Sequence, residues 1–286
     1  DGRIFRELDL FKIRGTPIPE PHMVFTLKDG FKAFPPFSIR KVEKPVRFQP
    51  RPDTDEYFSS GSSSLDEILG GGYRRGSPVL IEIDKHVSTL QYHLLLVPTC
   101  WNFITQGRGL MVIPSSGVDY NTVLKRALEG GISIEEVNKL LRICVKEYSG
   151  LPLEPYIIPF KGENIYIDYE KYLKTQGELM KRTGQPVLLI TGVDTLINTY
   201  GLKETLSVLS IDATFIKETA GLGILLLKPS HPKLSKHLAA IADIHLKITQ
   251  KYGTVLVYGV KPRTGLYVLE EDTSRDFVLP KLTPII

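Results

Sequence analysis

Short, wholly apolar runs alternate with longer segments that are apolar on one side over most of the chain. Runs of the first kind predict strands buried on both faces, and segments of the second kind predict helices. The strands are predicted at residues 78–83, 110–113, 144–145, 187–191 and 224–227, and the helices at 64–69, 88–106, 121–128, 168–182 and 202–219. Three further strands, at 241–248, 254–260 and 265–269, follow without helices and predict an antiparallel extension. Buried strands separated by helices are typical of an α/β protein with a mostly parallel sheet and helices on both faces.

The first 40 residues follow a different, extended pattern. Apolar residues such as Phe5 and Val24 are interrupted by prolines and by a Lys28-Asp29-Gly30 turn signal, which predicts strands without a helix. Two or three strands cannot form a core of their own, so we expect this β arm to pack on the main domain or on a neighbouring copy. Residues 41–57, with several prolines and mixed charges, are predicted as a linker, and residues 58–286 as the main domain.

The charge of the chain is uneven. Residues 1–50 contain ten Lys and Arg against six Asp and Glu, whereas residues 51–286 contain 26 of each. A groove for nucleic acid would make the main domain basic, so this balance disfavours DNA or RNA as a partner. No apolar stretch is long enough to span a membrane, and Cys100 and Cys144 are too few for a disulfide framework or a zinc site. We expect a cytoplasmic protein without a metal, in which His93 is a surface residue or a core residue with satisfied hydrogen bonds.

The segment before the first strand of the main domain carries a motif. It reads Ser59-Ser60-Gly61, then Leu65-Asp66, then three glycines at 70–72 and Gly76, and an apolar strand follows. In this order the residues resemble the entry to the KaiC-like branch of the RecA superfamily of P-loop ATPases. The resemblance implies a RecA-like, mostly parallel sheet with helices on both faces, and a loop after that strand that binds ATP and Mg²⁺.

The β arm resembles another part of the same family. Lys12-Ile13-Arg14-Gly15-Thr16, followed by Phe25-Thr26-Leu27, Gly30 and Phe34-Pro35, is similar to the closing segment of a KaiC-like domain. The resemblance implies that residues 1–40 are the tail of an upstream RecA-like domain, and that Lys12, Arg14 and Thr16 contact a nucleotide bound there. The chain would then be the second domain of a tandem protein, with that upstream domain or identical subunits as its partners.

The phosphate-binding loop departs from the family pattern. Residues 83–90 contain no glycine, and Ser88 or Thr89 stands where the family has its lysine. Such a loop needs glycines for close backbone approach, a lysine for the β- and γ-phosphates and a hydroxyl for Mg²⁺. Asp84 has the wrong charge for a phosphate, and Lys85 comes four residues too early. Lys85, Ser88 and Thr89 are the remaining candidates for contact with a nucleotide.

The acidic residues of the family are replaced as well. The catalytic carboxylate pair after the second strand corresponds to Ser115 and Ser116, and the aspartate at the end of the fourth strand corresponds to Thr191, with Asp194 three residues later. Tyr258 stands in place of the arginine that acts on a neighbouring subunit. Losing the lysine contact, the metal ligands and the glycine cradle together should weaken nucleotide binding by more than ~4 kcal/mol, which moves a micromolar site to the millimolar range.

Three functions are compatible with this sequence. The first is a catalytically silent RecA/KaiC-like domain that acts as an assembly or regulatory module of a larger protein, with no catalytic residue and no bound cofactor. The second is an ATPase with an atypical loop, in which Lys85 reaches the phosphate and Asp194 holds Mg²⁺. The third is a recombinase-type DNA-binding paralogue, which the charge balance disfavours. We favour the first, because the ATPase residues are replaced in each of the motifs compared.

Overall fold

A computed structural model describes residues 2–38, 46–275 and 277–286. Residues 41–45 of the predicted linker, and residues 1, 39 and 40 of the predicted arm, therefore lie outside the described residues. The strands are β1 (Glu7–Asp9), β2 (His22–Thr26), β3 (Lys32–Phe34), β4 (Tyr57–Phe58), β5 (Tyr73–Arg74), β6 (Ser77–Ile83), β7 (Leu110–Ile113), β8 (Leu141–Lys146), β9 (Ile157–Phe160), β10 (Leu188–Gly192), β11 (Leu222–Leu227), β12 (Ile244–Lys251), β13 (Thr254–Lys261), β14 (Leu266–Arg275) and β15 (Phe277–Pro284). The α-helices are α1 (Ser63–Ile68), α2 (Thr89–Thr105), α3 (Tyr120–Glu129), α4 (Ile134–Leu140), α5 (Ile165–Thr183), α6 (Val193–Tyr200), α7 (Leu202–Glu218) and α8 (Ser235–Ile241).

Ten of the described strands form one mixed sheet, in the order β15-β14-β13-β12-β6-β11-β10-β7-β8-β9. Every neighbouring pair from β12 to β9 is parallel. Strands β13, β14 and β15 continue the sheet in antiparallel pairs. The predicted α/β class is confirmed, and the strand with the phosphate-loop position, β6, lies in the middle of the sheet.

Two strands of this sheet were missed by the sequence pattern, and both lie at its edges. β9 contains Pro159 and β15 contains Pro280. Proline has no N–H to give to a neighbouring strand, so it argues against a strand inside a sheet but is tolerated where one side of the strand is free. Helices α4, α6 and α8, with 7, 8 and 7 residues, were also missed.

The helices cover the large sheet on both faces. Successive residues of a strand point to opposite faces, and in β6 Val79 and Ile81 pack in one apolar cluster with Leu65 of α1 and Leu95 of α2. Leu80 packs in a second cluster with residues of α6, α7 and α8. Helices α1 to α4 therefore cover one face, and α5 to α8 cover the other.

Strands β1, β2 and β3 form a separate antiparallel sheet in the arm. Val24 of β2 and Phe34 of β3 are buried against Val268 of β14 and its neighbours at the C-terminal end of the large sheet. The Thr26 hydroxyl donates to the Pro284 carbonyl oxygen at 2.8 Å. The arm thus packs on the main body of the same chain, which supplies the core that so small a sheet lacks.

No helix among the described residues combines the length and the apolarity that crossing a bilayer requires. Within the same part of the chain, no group of histidine, cysteine and acidic side chains is arranged to hold a metal ion.

Candidate functional site

A crevice for a ligand is expected above the carboxyl ends of the central strands. The chain leaves β6 for α2 on one face of the sheet, whereas it leaves β10 and β11 for helices on the other face. In open parallel sheets, ligands bind at the place where the connections change face in this way. The residues at the ends of β6, β7, β10 and β11 therefore form the candidate site.

The loop after β6 is held together by its own hydrogen bonds. The backbone N–H groups of His86 and Val87 donate to the side chain and the carbonyl oxygen of Asp84, both at 3.0 Å. The His86 Nδ1 atom lies 3.0 Å from the same Asp84 carboxylate oxygen. Lys85, one of the predicted nucleotide contacts, is exposed. The carboxylate of Asp84 is therefore the centre of this loop.

The other two predicted contacts begin helix α2. Ser88 is the N-cap, and it forms a capping box with Gln91 in which each backbone N–H donates to the other side chain, at 2.7 and 3.4 Å. Thr89 is the first residue of the helix. In a phosphate-binding loop, the N–H groups at this place point toward the ligand. Here the N–H groups of His86, Val87, Ser88 and Gln91 point toward protein oxygens instead.

The next strands bring Ser116 and Asp194 together. The buried Asp194 carboxylate accepts a hydrogen bond from the Ser116 backbone N–H at 3.1 Å, and the Asn198 side chain donates to the Ser116 hydroxyl at 3.1 Å. Lys228, directly after β11, donates to the Ser116 carbonyl oxygen at 2.6 Å. Thr191, the position of the family's aspartate, is buried in β10. The carboxylate at this end of β10 is therefore that of Asp194, in the first turn of α6.

Tyr92 of α2 lies beside this group of residues. The pKa of Tyr92 is raised to about 12, mainly by burial and in part by the Asp194 carboxylate, against the opposing effect of the Thr89 and Ser115 side chains. Neither neighbour completes a hydrogen bond of normal geometry with the Tyr92 hydroxyl, and the second oxygen of Asp194 also has no partner among the described residues. The sequence gives no sign that Tyr92 is a site residue, because a tyrosine inside an apolar helix carries no signal of its own.

Glu82, near the end of β6, forms a second polar cluster that the sequence did not reveal. Its carboxylate accepts hydrogen bonds from Ser235 at 2.7 Å and Lys247 at 3.0 Å, and it lies 3.1 Å from the His245 ring. Burial alone would raise the pKa of Glu82, but these partners outweigh burial and lower the pKa to about 2. Because its partners lie more than 150 residues away in the chain, sequence spacing could not have found this cluster.

The residues of the motif before β6, which resembles the entry to a KaiC-like domain, form hydrogen bonds and packing contacts within the fold. The Asp66 carboxylate accepts hydrogen bonds from the Ser59 hydroxyl and the Ser60 hydroxyl, each at 2.6 Å. It also accepts one from the Ser60 N–H at 2.7 Å. Gly61 has a φ of +78°, and a Cβ there would lie 2.5 Å from the Pro98 carbonyl oxygen in α2. These residues tie the start of α1 to α2. The cap of α1 is Ser62, and the helix begins at Ser63, one residue before the predicted start.

The predicted sensing residues Lys12, Arg14 and Thr16 lie together on an exposed stretch between β1 and β2. Beside them Phe11 is 93% exposed. The arm packs on the C-terminal strands, so this stretch is not part of the crevice at β6 and β10. Tyr258, at the position of the family's arginine, is covered by the Arg3 guanidinium, which lies 4.3 Å from the ring centre.

No known protein-family model matches this chain. The chain is, however, similar to GvpD proteins over nearly all of its length. Protein GvpD2 of Halobacterium salinarum is 24% identical over 306 residues, which cover 99% of this chain and 58% of that protein. Protein GvpD1 of the same organism is 24% identical over 340 residues, which cover 99% of this chain and 62% of that protein. The chain therefore spans less than two thirds of the length of either relative.

Proposed function

We propose that this chain is a RecA-like domain without ATPase activity that acts as an assembly or regulatory module of a larger protein. The large parallel sheet with helices on both faces, and the helix that follows its central strand β6, support a RecA-like fold. The greater length of the GvpD relatives supports the idea that further protein accompanies such a domain. Regulation or assembly then depends on its surfaces, since the fold is retained without the residues of the ATPase motifs.

The observation that carries this proposal is that backbone N–H groups of the loop after β6 already donate hydrogen bonds to oxygens of the protein. ATP would have to displace the capping box of Ser88 and the bonds from His86 and Val87 to Asp84, and would then face the carboxylate of Asp84. A charge-assisted hydrogen bond contributes about 1.5 to 3 kcal/mol. The missing lysine and metal contacts together therefore weaken the binding of ATP by more than ~4 kcal/mol, which raises a micromolar Kd into the millimolar range.

Calorimetric titration of this chain with Mg²⁺ and ATP tests the proposal. We expect no saturable binding tighter than about 1 mM. An established RecA-like ATPase with an intact phosphate loop serves as the positive control under the same conditions. A Kd below about 100 μM would overturn the proposal, because the lost contacts leave no source for that much free energy.

One observation favours the alternative of an atypical ATPase. Asp194 has an unpaired carboxylate oxygen at the crevice, and carboxylate oxygens are the ligands that Mg²⁺ prefers. In that case Lys85→Ala and Asp194→Asn would each abolish ATP turnover, whereas Lys125→Ala, at an exposed position of α3, would not. In our proposal the unchanged chain has no turnover above the rate without protein, and this measurement separates the two.

The assembly role is assigned to the exposed stretch of the arm. Phe11 is an almost fully exposed aromatic residue between β1 and β2, next to Lys12 and Arg14, and such a residue is typical of a contact surface. We assign this surface to an upstream RecA-like domain or to an identical subunit. Lys12, Arg14 and Thr16 would there contact the nucleotide of that neighbour.

Sedimentation velocity tests the contact, with this chain alone and in a mixture with the upstream domain. We expect association in one of the two samples, weakened at least tenfold by Phe11→Ser. Leu153→Ser provides the matched control, because Leu153 is fully exposed but lies far along the chain from the arm. Equal association of the two variants would contradict the assignment.

A further inference from the structure

A cavity of about 60 Å³ lies beneath α2 and α3, next to the candidate crevice. Its walls are mostly apolar, with side chains such as Leu96 and Ala127. Four polar residues also line it: Tyr92 and His93 of α2, Ser115 after β7, and Arg126 of α3. A pocket with an apolar body and a few polar groups is the usual form of a site for a small molecule.

The polar residues of this cavity share an unusual property. The Tyr92 hydroxyl, the His93 Nδ1 atom, the Ser115 hydroxyl and the Arg126 Nε atom are all buried, and none has a hydrogen-bond partner among the described residues. Tyr92, His93 and Ser115 are only 2%, 8% and 2% exposed. Buried polar atoms are nearly always paired in proteins, because each unpaired one destabilises the fold. Four around one cavity therefore indicate a ligand that pairs with them.

The charges around the cavity indicate the kind of ligand. The pKa of His93 is lowered to about 4, mainly by burial and further by the positive charges of Arg126 and Lys228, so the imidazole is neutral at pH 7. The Arg126 guanidinium also pairs with Glu129 through its Nη1 atom, while its Nε atom stays unpaired. The opposing carboxylate, Asp194, acts on Tyr92 but does not line the cavity. Of the unpaired atoms, the Arg126 Nε can only donate and the Tyr92 and Ser115 hydroxyls can donate, and the charges that act on His93 are positive.

We propose that this cavity binds a small organic carboxylate, whose oxygens accept hydrogen bonds from Ser115, Tyr92 and Arg126 while its apolar part packs against Leu96 and Ala127. The volume limits the apolar part to a few carbon atoms. The proposal goes beyond the proposed function and does not depend on it, because the cavity shares none of its lining residues with the loop after β6.

Titration of this chain with butyrate, followed by protein NMR chemical shifts, tests the proposal, with butyramide as the uncharged analogue. We expect saturable butyrate binding with a millimolar or tighter Kd, since the affinity of so small a ligand is limited by its size. Butyramide should bind at least tenfold more weakly. The shifted signals should include those of α2 and α3. No saturation by about 20 mM butyrate, or equal binding of butyramide, would overturn the proposal.

Two substitutions locate the binding. Ser115→Ala removes one donor with little change of shape, and we expect it to weaken butyrate binding at least tenfold. Ala127→Met fills the cavity and should abolish binding; should this variant fail to fold, Ser115→Ala decides alone. Ser210→Ala, at an exposed position of α7, is the control and should bind butyrate like the unchanged chain. Binding that survives Ser115→Ala at full strength would overturn the proposal.

Discussion

The loop after β6 and the ends of β7 and β10 lie at the same end of the central strands, yet they differ in hydrogen bonding. Polar groups of the loop are hydrogen-bonded, whereas buried polar groups near the ends of β7 and β10 lack partners among the described residues. In the loop and the first turn of α2, the N–H groups of His86, Val87, Ser88 and Gln91 donate to oxygens of Asp84, Ser88 and Gln91. Around the ends of β7 and β10, Tyr92, Ser115 and Asp194 keep buried polar atoms without partners among the described residues. Paired groups stabilise a fold, whereas unpaired ones destabilise it and are retained where something else uses them. The loop at the position of the phosphate-binding loop thus has the features of a structural element, and the neighbouring residues have the features of a binding site.

The largest loss of stability is expected in the motif before β6 that resembles the KaiC-like proteins, where Asp66 accepts several hydrogen bonds. Asp66→Ala leaves the hydroxyls of Ser59 and Ser60 and the Ser60 N–H without their acceptor. Removing a buried charged acceptor should lower the free energy of unfolding by about 3 kcal/mol. Urea denaturation measures this, with Asp55→Ala, at an exposed position nearby, as the control. Equal midpoints for the two variants would show that the motif is not held by these contacts.

Acid should destabilise the paired Glu82 cluster in a defined pH window. The pKa of Glu82 is lowered from 4.5 to about 2 by its three partners, against the effect of burial. A carboxylate with a lowered pKa stabilises the fold above its unfolded pKa, and this contribution is lost as pH falls toward the folded pKa. We expect a loss of about 2 kcal/mol between pH 5 and pH 2 in the unchanged chain. Glu82→Gln should lack that part of the pH dependence, whereas the exposed control Glu218→Gln should keep it.

The region around Tyr92 and His93, whose buried polar atoms lack partners among the described residues, should lose stability at a higher pH than the Glu82 cluster does. The pKa of His93 is lowered from 6.5 to about 4, chiefly by burial. A histidine with a lowered pKa binds fewer protons when folded, so stability is full above pH 6.5 and falls as pH decreases toward 4. We expect a loss of about 1 to 2 kcal/mol over this window, which His93→Gln should remove and the exposed control His237→Gln should not. Thermal unfolding at pH 7, 5.5 and 4 measures it; identical pH profiles for all three proteins would break the comparison between the two regions.

The sequence predicted most of the sheet because its central strands are buried on both faces and are therefore wholly apolar. It missed the edge strands, since Pro159 and Pro280 are acceptable only where one side of a strand is free. It also placed the departure from the phosphate-loop pattern at residues 83–90, where the structure shows the capping box of Ser88. It could not find Glu82 or the group around Tyr92, because their partners are separated by long stretches of chain and meet only through strand order. For His93 the expectation of satisfied hydrogen bonds was wrong, since Nδ1 has no partner among the described residues.

The smallest change in the free energy of unfolding is expected from a serine-to-alanine substitution in each region. Comparing the two variants is also the sharpest test of the difference between the loop after β6 and the residues near the ends of β7 and β10. Ser88→Ala removes the cap of α2 and leaves the Gln91 N–H without its acceptor, which should lower the free energy of unfolding by about 1 kcal/mol. Ser115→Ala removes a buried hydroxyl that has no partner among the described residues, so it should change that free energy by less than about 0.5 kcal/mol or raise it.

Urea denaturation of both variants beside the unchanged chain, without any added carboxylate, measures the pair. A serine whose loss does not destabilise the protein, but whose presence is needed for butyrate binding, is retained for a ligand and not for the fold. A loss of about 2 kcal/mol in Ser115→Ala would instead mean that its hydroxyl is paired in solution, and the distinction between the two ends of the crevice would then disappear.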